Sequence, residues 1–227
     1  MTTDPSELRI IAEEALELVP EGGTLGLGTG HAASAFLRAL GEKVQAGLQV
    51  RGVPTSRDSA DLAAKLGIPL TTLDECPQLD VDFDGADEVD PDNNLIKGYG
   101  GALVREKIVA AASKKLVILV GPEKIVPRLG SRGKLPVEVV PFALSPCSRA
   151  LQALACEPHL RRDGSQPHVT DNGNYILDCD VTPIEDPTRL EAAIRAIPGV
   201  VGTGLFLKMN PTVLIGLGQR VEVREAK

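Results

Sequence analysis

Between Val81 and Lys107 the chain reads VDFDGADEVDPDNNLIKGYGGALVREK, bringing Asp84, Asp87, Lys97, a glycine-rich turn and Glu106 into one short stretch. These residue types suit proton transfer on a polyhydroxylated anion. A positioned carboxylate can take and return a carbon-bound proton. A lysine and main-chain amides can hold the oxygen charge that develops meanwhile. Further carboxylates can orient hydroxyls.

The alternation Val81-Asp82-Phe83-Asp84 predicts a half-buried strand that ends at Gly85 with Asp84 at its tip. Asp84 and Asp87 are three apart across a tight turn. That spacing can aim both acids into one crevice at a strand's carboxyl end, where open α/β sheets bind ligands. Asp90-Pro91-Asp92-Asn93-Asn94 has turn chemistry, with Asp90 and Asp92 as solvated turn acids. Leu95-Ile96-Lys97 then returns to the interior and delivers Lys97 ahead of Gly98-Tyr99-Gly100-Gly101, whose glycines allow close backbone approach to an oxyanion. From Ala102 to Ala112 the spacing is helical, with Glu106 in its first turns. A calcium loop opening at Asp80-Val81-Asp82-Phe83-Asp84-Gly85 fails, because its twelfth position, normally a bidentate Glu, is Pro91.

A second glycine loop, Gly26-Leu27-Gly28-Thr29-Gly30-His31-Ala32, follows a predicted strand and opens a helix, a geometry that holds anions at the helix N-terminus. A dinucleotide fingerprint would need glycine at His31 and an acid after the second strand, where Val53-Pro54-Thr55-Ser56 stands. A P-loop would need a lysine that this loop lacks. A phosphate or hydroxyl cradle remains, alongside the alternative that the glycines only make the turn. Lys124 follows the apolar run Leu116–Val120 and so lies at another strand's carboxyl end. Ser56, Arg57 and Asp58 follow the second strand, with Ser56 also suited to cap a helix.

These residues are carried by an alternating frame. Helical spacing at 8–19, 32–44, 56–66 and 102–112 interleaves with strand patterns at 24–28, 48–53, 68–71, 81–84 and 116–120. Such alternation predicts a doubly wound, mostly parallel, Rossmann-like α/β sheet. From about residue 130 the order becomes strand 137–140, helix 145–155, strands at 159–162 and 169–177 with a hairpin over Asp171-Asn172-Gly173, helix 187–196 and strand 200–207. That β-α-β-β-α-β order predicts a second, smaller ferredoxin-like α+β domain. The expected division is 1–130 plus 208–227 for the larger domain, with strand 213–217 returning to its sheet, and 131–207 for the smaller.

The 227 residues are 43% hydrophobic with a net charge of −7. That charge argues against nucleic acid as a partner, and it requires an anionic substrate to be captured by local groups. No apolar run approaches the ~20 residues of a membrane span, and the start lacks the order of a secretory signal. A cytoplasmic protein is the expectation. Cys76, Cys147, Cys156 and Cys179 are scattered without a C-x-x-C pair, as are His31, His159 and His168, so no metal cluster is read.

Taken together, Asp84-Gly85-Ala86-Asp87-Glu88, Ile96-Lys97-Gly98-Tyr99-Gly100 and Arg105-Glu106-Lys107 resemble, in order, motifs of the type A ribose-5-phosphate isomerases. The resemblance extends through Gly26–Gly30, Leu135–Val139, Val169–Asn174 and Ile197–Val201, nearly the whole chain. It implies interconversion of D-ribose 5-phosphate and D-ribulose 5-phosphate through an enediol or enediolate in the pentose phosphate pathway, without metal or organic cofactor. By resemblance Glu106 is the base, Lys97 stabilises oxygen charge and Asp84 assists ring opening or carries a hydroxyl proton. Asp87 orients sugar hydroxyls. Thr29, Gly30, His31, Ala32, Gly85, Ala86, Gly98, Tyr99, Gly100 and Lys124 complete the substrate site, and the assembly is a homodimer or higher homo-oligomer. This chain departs from the family at His31-Ala32, where Ser-Thr is usual, and at Tyr99, where a further glycine is usual. The alternative is a non-catalytic sugar-phosphate sensor on the same fold.

Overall fold

A computed structural model describes residues 4–225. The chain forms two compact units, one comprising the chain up to Ala86, Arg105–Ile125 and the chain from Met209, the other Asp87–Val104 and Val126–Lys208.

The first unit is built on a six-stranded sheet. Across it run Arg51–Pro54, Thr24–Leu27, Leu79–Gly85, Ser113–Val120, Thr212–Leu217 and Arg220–Arg224. The first five are parallel and the last pairs antiparallel at the edge. Helices Pro5–Leu16 and His31–Gln45 cover one face, where Ile11, Ala15, Phe36, Leu37 and Leu40 pack on Leu25, Leu27, Val81, Phe83 and Leu119. Phe36 stacks on Phe83 with ring centroids 4.2 Å apart. Burying each such side chain contributes about 1.5–3 kcal/mol. Helix Leu103–Ala112 brings Val109 into a cluster with Val53, Cys76 and Leu79.

Layers on both faces change the reading of the acidic strand. Asp82 and Asp84 are fully buried, as is Phe83, rather than half exposed. Strands inside parallel sheets are covered on both sides, so alternation along them does not mark a solvent face. The segment 68–71 makes only an isolated bridge, Leu70 to Gly52. The edge strand Arg220–Arg224 was absent from the sequence pattern.

In the second unit four antiparallel strands lie in the order Val200–Thr203, Lys134–Val139, Tyr175–Asp180, Glu157–Leu160. With helices Leu144–Ala153 and Pro187–Arg195 they give the β-α-β-β-α-β arrangement over a core of Leu135, Val137, Cys147, Leu151, Leu177 and Ile194. The 171–173 turn closes by Thr170 N donating to Asn174 O at 2.9 Å, above a single Val169–Tyr175 bridge. A small sheet of Glu88–Val89, Leu95–Ile96 and Leu205–Phe206 explains why 87–104 belongs to this unit, whereas the sequence division assigned it, with 126–130, to the larger one. No described helix is long and apolar enough to cross a membrane.

Candidate functional site

In the first unit the order of the parallel strands reverses direction between Thr24–Leu27 and Leu79–Gly85, since the chain winds to one side for Arg51–Pro54 and to the other thereafter. Ligands of open α/β sheets bind outside the carboxyl ends at such a point. The residues found there are Gly28–Ala32 and Asp84–Gly85. Thr55–Ser59 and Gly121–Lys124 emerge at the same edge.

Asp84 is fully buried and held from two sides. Its Oδ1 accepts from Gly85 N at 2.7 Å and from Thr29 N at 3.1 Å. Gly28 is required by this carboxylate, because a Cβ there would lie 2.3 Å from Asp84 Oδ1. Gly26 makes the same allowance for Asp82 Oδ1, and its added Cβ would also meet Val109 at 2.6 Å. Asp82 and Asp84 share a face by strand alternation, so both look toward helix Leu103–Ala112. Glu106, 3% exposed, lies on that helix one turn before Val109. The helix runs back against the strands as a crossover does, which sets Glu106 nearer the carboxyl edge than Val109, by about 4.5 Å of rise.

Gly26 lies in the strand Thr24–Leu27 and Gly28 just beyond it, and of the motif's glycines only Gly30 has a left-handed backbone, with φ of 101°. It is the N-cap of helix His31–Gln45 and makes no side-chain cap bond. His31 is the exposed first helical residue, so it is not the cap, and the first turn carries no acid. Ala32 packs beside Gly85, whose added Cβ would sit 3.8 Å from Ala32 Cβ. The main-chain amides of a helix's first turn, which have no partner within the helix, and the helix dipole make this turn a place for an anion. Lys124 ends the 3₁₀ turn Pro122–Lys124. Ser56 is the expected N-cap, accepting from Ser59 N, while Arg57 is exposed.

The second unit holds Ala86's neighbour Asp87, whose Oδ2 accepts from Tyr99 N at 2.9 Å. Lys97 is buried, with its N donating to Gly204 O at 2.9 Å and its Nζ 5.5 Å from the Phe206 ring centroid. Gly98 and Gly101 adopt φ of 102° and 92°. Tyr99 turns its ring under Lys134, whose Nζ is 4.8 Å from the ring centroid, and donates its hydroxyl to Lys134 O at 3.1 Å. Burial, with the nearby charges of Glu88 and Asp87, raises its phenol above the ordinary value. Gly100 is exposed. Asp90 is no solvated turn acid, since its carboxylate accepts from the amides of Asp92 and Asn94 and closes the turn.

Sequence reading missed Thr55, Ser59 and Arg161. The hydroxyls of Thr55 and Ser59 meet Thr29, and Arg161 holds the carbonyls of Gly98 and Tyr99. The run Thr55-Ser56 after a strand was a usable signal for the first pair. Nothing local to Arg161 gave one.

Comparison with known proteins gives matches along nearly the whole chain. Residues 51–220 match the family model described as ribose 5-phosphate isomerase A, or phosphoriboisomerase A. The chain is 54% identical over 207 residues to ribose-5-phosphate isomerase A of Roseiflexus sp. (strain RS-1), covering 90% of this chain and 89% of that one. It is 47% identical over 222 residues to the protein of that name from Parvibaculum lavamentivorans, covering 95% and 96%. Ribose 5-phosphate isomerase A of Methanocaldococcus jannaschii superposes with a TM-score of 0.92 at 41% identity, over 98% of this chain and 100% of that one. A D-ribose-5-phosphate isomerase in complex with phospho-erythronic acid superposes with a TM-score of 0.94 at 36% identity, over 99% and 100%.

Proposed function

The chain belongs to the ribose-5-phosphate isomerase A family, and from that premise we propose that it interconverts D-ribose 5-phosphate and D-ribulose 5-phosphate. The observation that carries the reading is the buried Glu106 carboxylate, on the helix toward which Asp82 and Asp84 face. A sensor would need no such buried base.

Glu106 removes the proton from C2 of the open-chain aldose and returns it to C1, through an enediolate. Lys97 and loop amides stabilise charge on the oxygens of C1 and C2 as it builds. Asp84 carries the proton that ring opening and the enediol require to move between oxygens. Asp87 orients hydroxyls. The first turn of helix His31–Gln45, with Gly30, His31 and Ala32, together with Lys124, holds the phosphate end, and Thr29 supports the site from behind through its amide on Asp84. Gly85, Ala86, Gly98, Tyr99 and Gly100 shape the remaining contacts. The relative that binds phospho-erythronic acid supports this chemistry, because a phosphorylated four-carbon acid presents carboxylate oxygens where an enediolate presents its two oxygens. The mechanism asks for no metal or organic cofactor. The enzyme acts in the cytoplasm as a homodimer or higher homo-oligomer.

The test is Glu106→Gln, assayed with ribose 5-phosphate. The near-isosteric amide cannot accept the proton, so kcat falls by about 10²–10⁴ while the fold is kept. Wild-type turnover in a folded Glu106→Gln protein removes Glu106 as the base. A wild-type protein that binds the sugar phosphate without converting it makes the chain a sensor.

A further inference from the structure

Behind the glycine loop of the first unit four hydroxyls form a knot. Thr29 Oγ1 lies 2.7 Å from Thr55 Oγ1, 2.8 Å from Ser56 Oγ and 3.1 Å from Ser59 Oγ. Ser56 Oγ reaches Ser59 Oγ at 3.0 Å, and Ser59 Oγ donates to Gly28 O at 2.6 Å. Thr55, Ser56 and Ser59 are all buried.

Each hydroxyl has one proton to give. Thr55 donates to the Leu27 carbonyl at 3.1 Å, while Thr29 donates to Ser56, Ser56 to Ser59 and Ser59 onto the Gly28 carbonyl, and bonds in such a chain strengthen one another. Thr29's only hydroxyl proton is thereby spent inside the protein and is not offered to a phosphate or sugar oxygen. What Thr29 turns the other way is its main-chain N–H, which donates to Asp84 Oδ1.

We propose that Thr55, Ser56 and Ser59 are positioning residues for Asp84, acting through Thr29 and not by touching substrate. The inference rests on Asp84 serving the isomerisation. The knot fixes Thr29 to the first turn of helix Arg57–Lys65 and to the carboxyl end of the neighbouring strand. The Thr29 amide then sets the carboxylate, which Gly28 leaves room for.

Two measurements on full-length Thr55→Val, Ser59→Ala and the double variant test it. In the first, hydrogen exchange at the Thr29 amide, slow in the wild type, speeds up by at least about tenfold in each variant, and Thr55→Ser, which keeps the hydroxyl, restores protection. In the second, kcat with ribose 5-phosphate falls by about ten- to a hundredfold with KM little changed, and the double variant is no worse than the worse single one. Unchanged exchange at Thr29 overturns the proposal. So does a rise in KM with kcat intact, which would place the Thr29 hydroxyl on the substrate, or losses that simply multiply. If the wild type lacks isomerase activity while exchange at Thr29 still follows the knot, the functional reading falls and the positioning stands.

Discussion

Arg161 grips the Asp178 carboxylate with two nitrogens, Nε to Oδ2 at 2.9 Å and Nη2 to Oδ1 at 2.5 Å. Its remaining nitrogen, Nη1, donates to the carbonyls of Gly98 at 3.0 Å and Tyr99 at 3.1 Å. In a planar trans peptide the C=O and N–H point opposite ways. With both carbonyls drawn to Arg161, the amides of Tyr99 and Gly100 face the other side of the loop. The first meets Asp87 Oδ2, and the second makes no hydrogen bond among the described residues. A guanidinium beside the carbonyls also polarises both peptides, which strengthens those amides as donors to an oxyanion.

Arg161→Lys keeps the charge and loses the fork. An ammonium cannot hold a carboxylate and two carbonyls in that planar pattern. The loop that follows Lys97 loosens, and kcat/KM for ribose 5-phosphate drops by about ten- to a hundredfold with the circular dichroism spectrum unchanged. Activity within twofold of wild type would show that the loop holds its shape without the clamp.

Gly28 and Gly30 belong to one motif but serve different ends, and alanine separates them. At Gly28 the added Cβ collides with Asp84, both at Oδ1 and at Cα, 2.6 Å away. Gly28→Ala therefore displaces the carboxylate and lowers kcat by about a hundredfold. At Gly30 there is open space and a φ of 101°, so Gly30→Ala strains the backbone and lowers stability by ~1 kcal/mol or more. Steady-state kinetics and thermal unfolding of the two variants should show opposite emphasis.

Those two glycines mark how far sequence reading reaches. Strand, loop and helix were legible around Gly26–Ala32 because strand length, glycine and helical spacing are local signals. The reason for Gly26 and Gly28 was not, since it lies in Asp82 and Asp84 on a neighbouring strand whose register appears only on pairing. The same limit hid Arg161, sixty-odd residues from the carbonyls it holds. It also hid Thr55 and Ser59, whose hydroxyls matter only once two strand ends are side by side. Asp82 was misjudged for a different cause: alternation reads as exposure only when one face of a sheet meets water.

Glu88 is fully buried beside the glycine-rich turn at 130–133, with Oε2 accepting from Gly130 N at 2.6 Å and Oε1 from Arg132 N at 2.7 Å. Burial raises its pKa above the ordinary 4.5, and the main-chain donors at Arg132, Gly130 and Ser131 pull against that rise. A carboxyl whose folded pKa is raised is favoured in its protonated form by folding. Its contribution is fully present below the unfolded value and is lost as pH rises through the folded one. Asp80 works in the other sense, held down first by the Thr24 amide and then by Lys114, so its contribution fades only as pH falls below about 3.8. Between roughly pH 5 and neutrality the Glu88 slope is therefore seen apart from that of Asp80. Glu88→Gln sets an NH₂ against a main-chain N–H and destabilises the fold by about 1–3 kcal/mol at neutral pH. Gln cannot titrate, so the stability gap between wild type and variant should widen on acidification from pH 8 to pH 5. Urea unfolding of both proteins across that range measures it, and a gap that stays constant or narrows would mean that Glu88 is not the buried acid its surroundings make it.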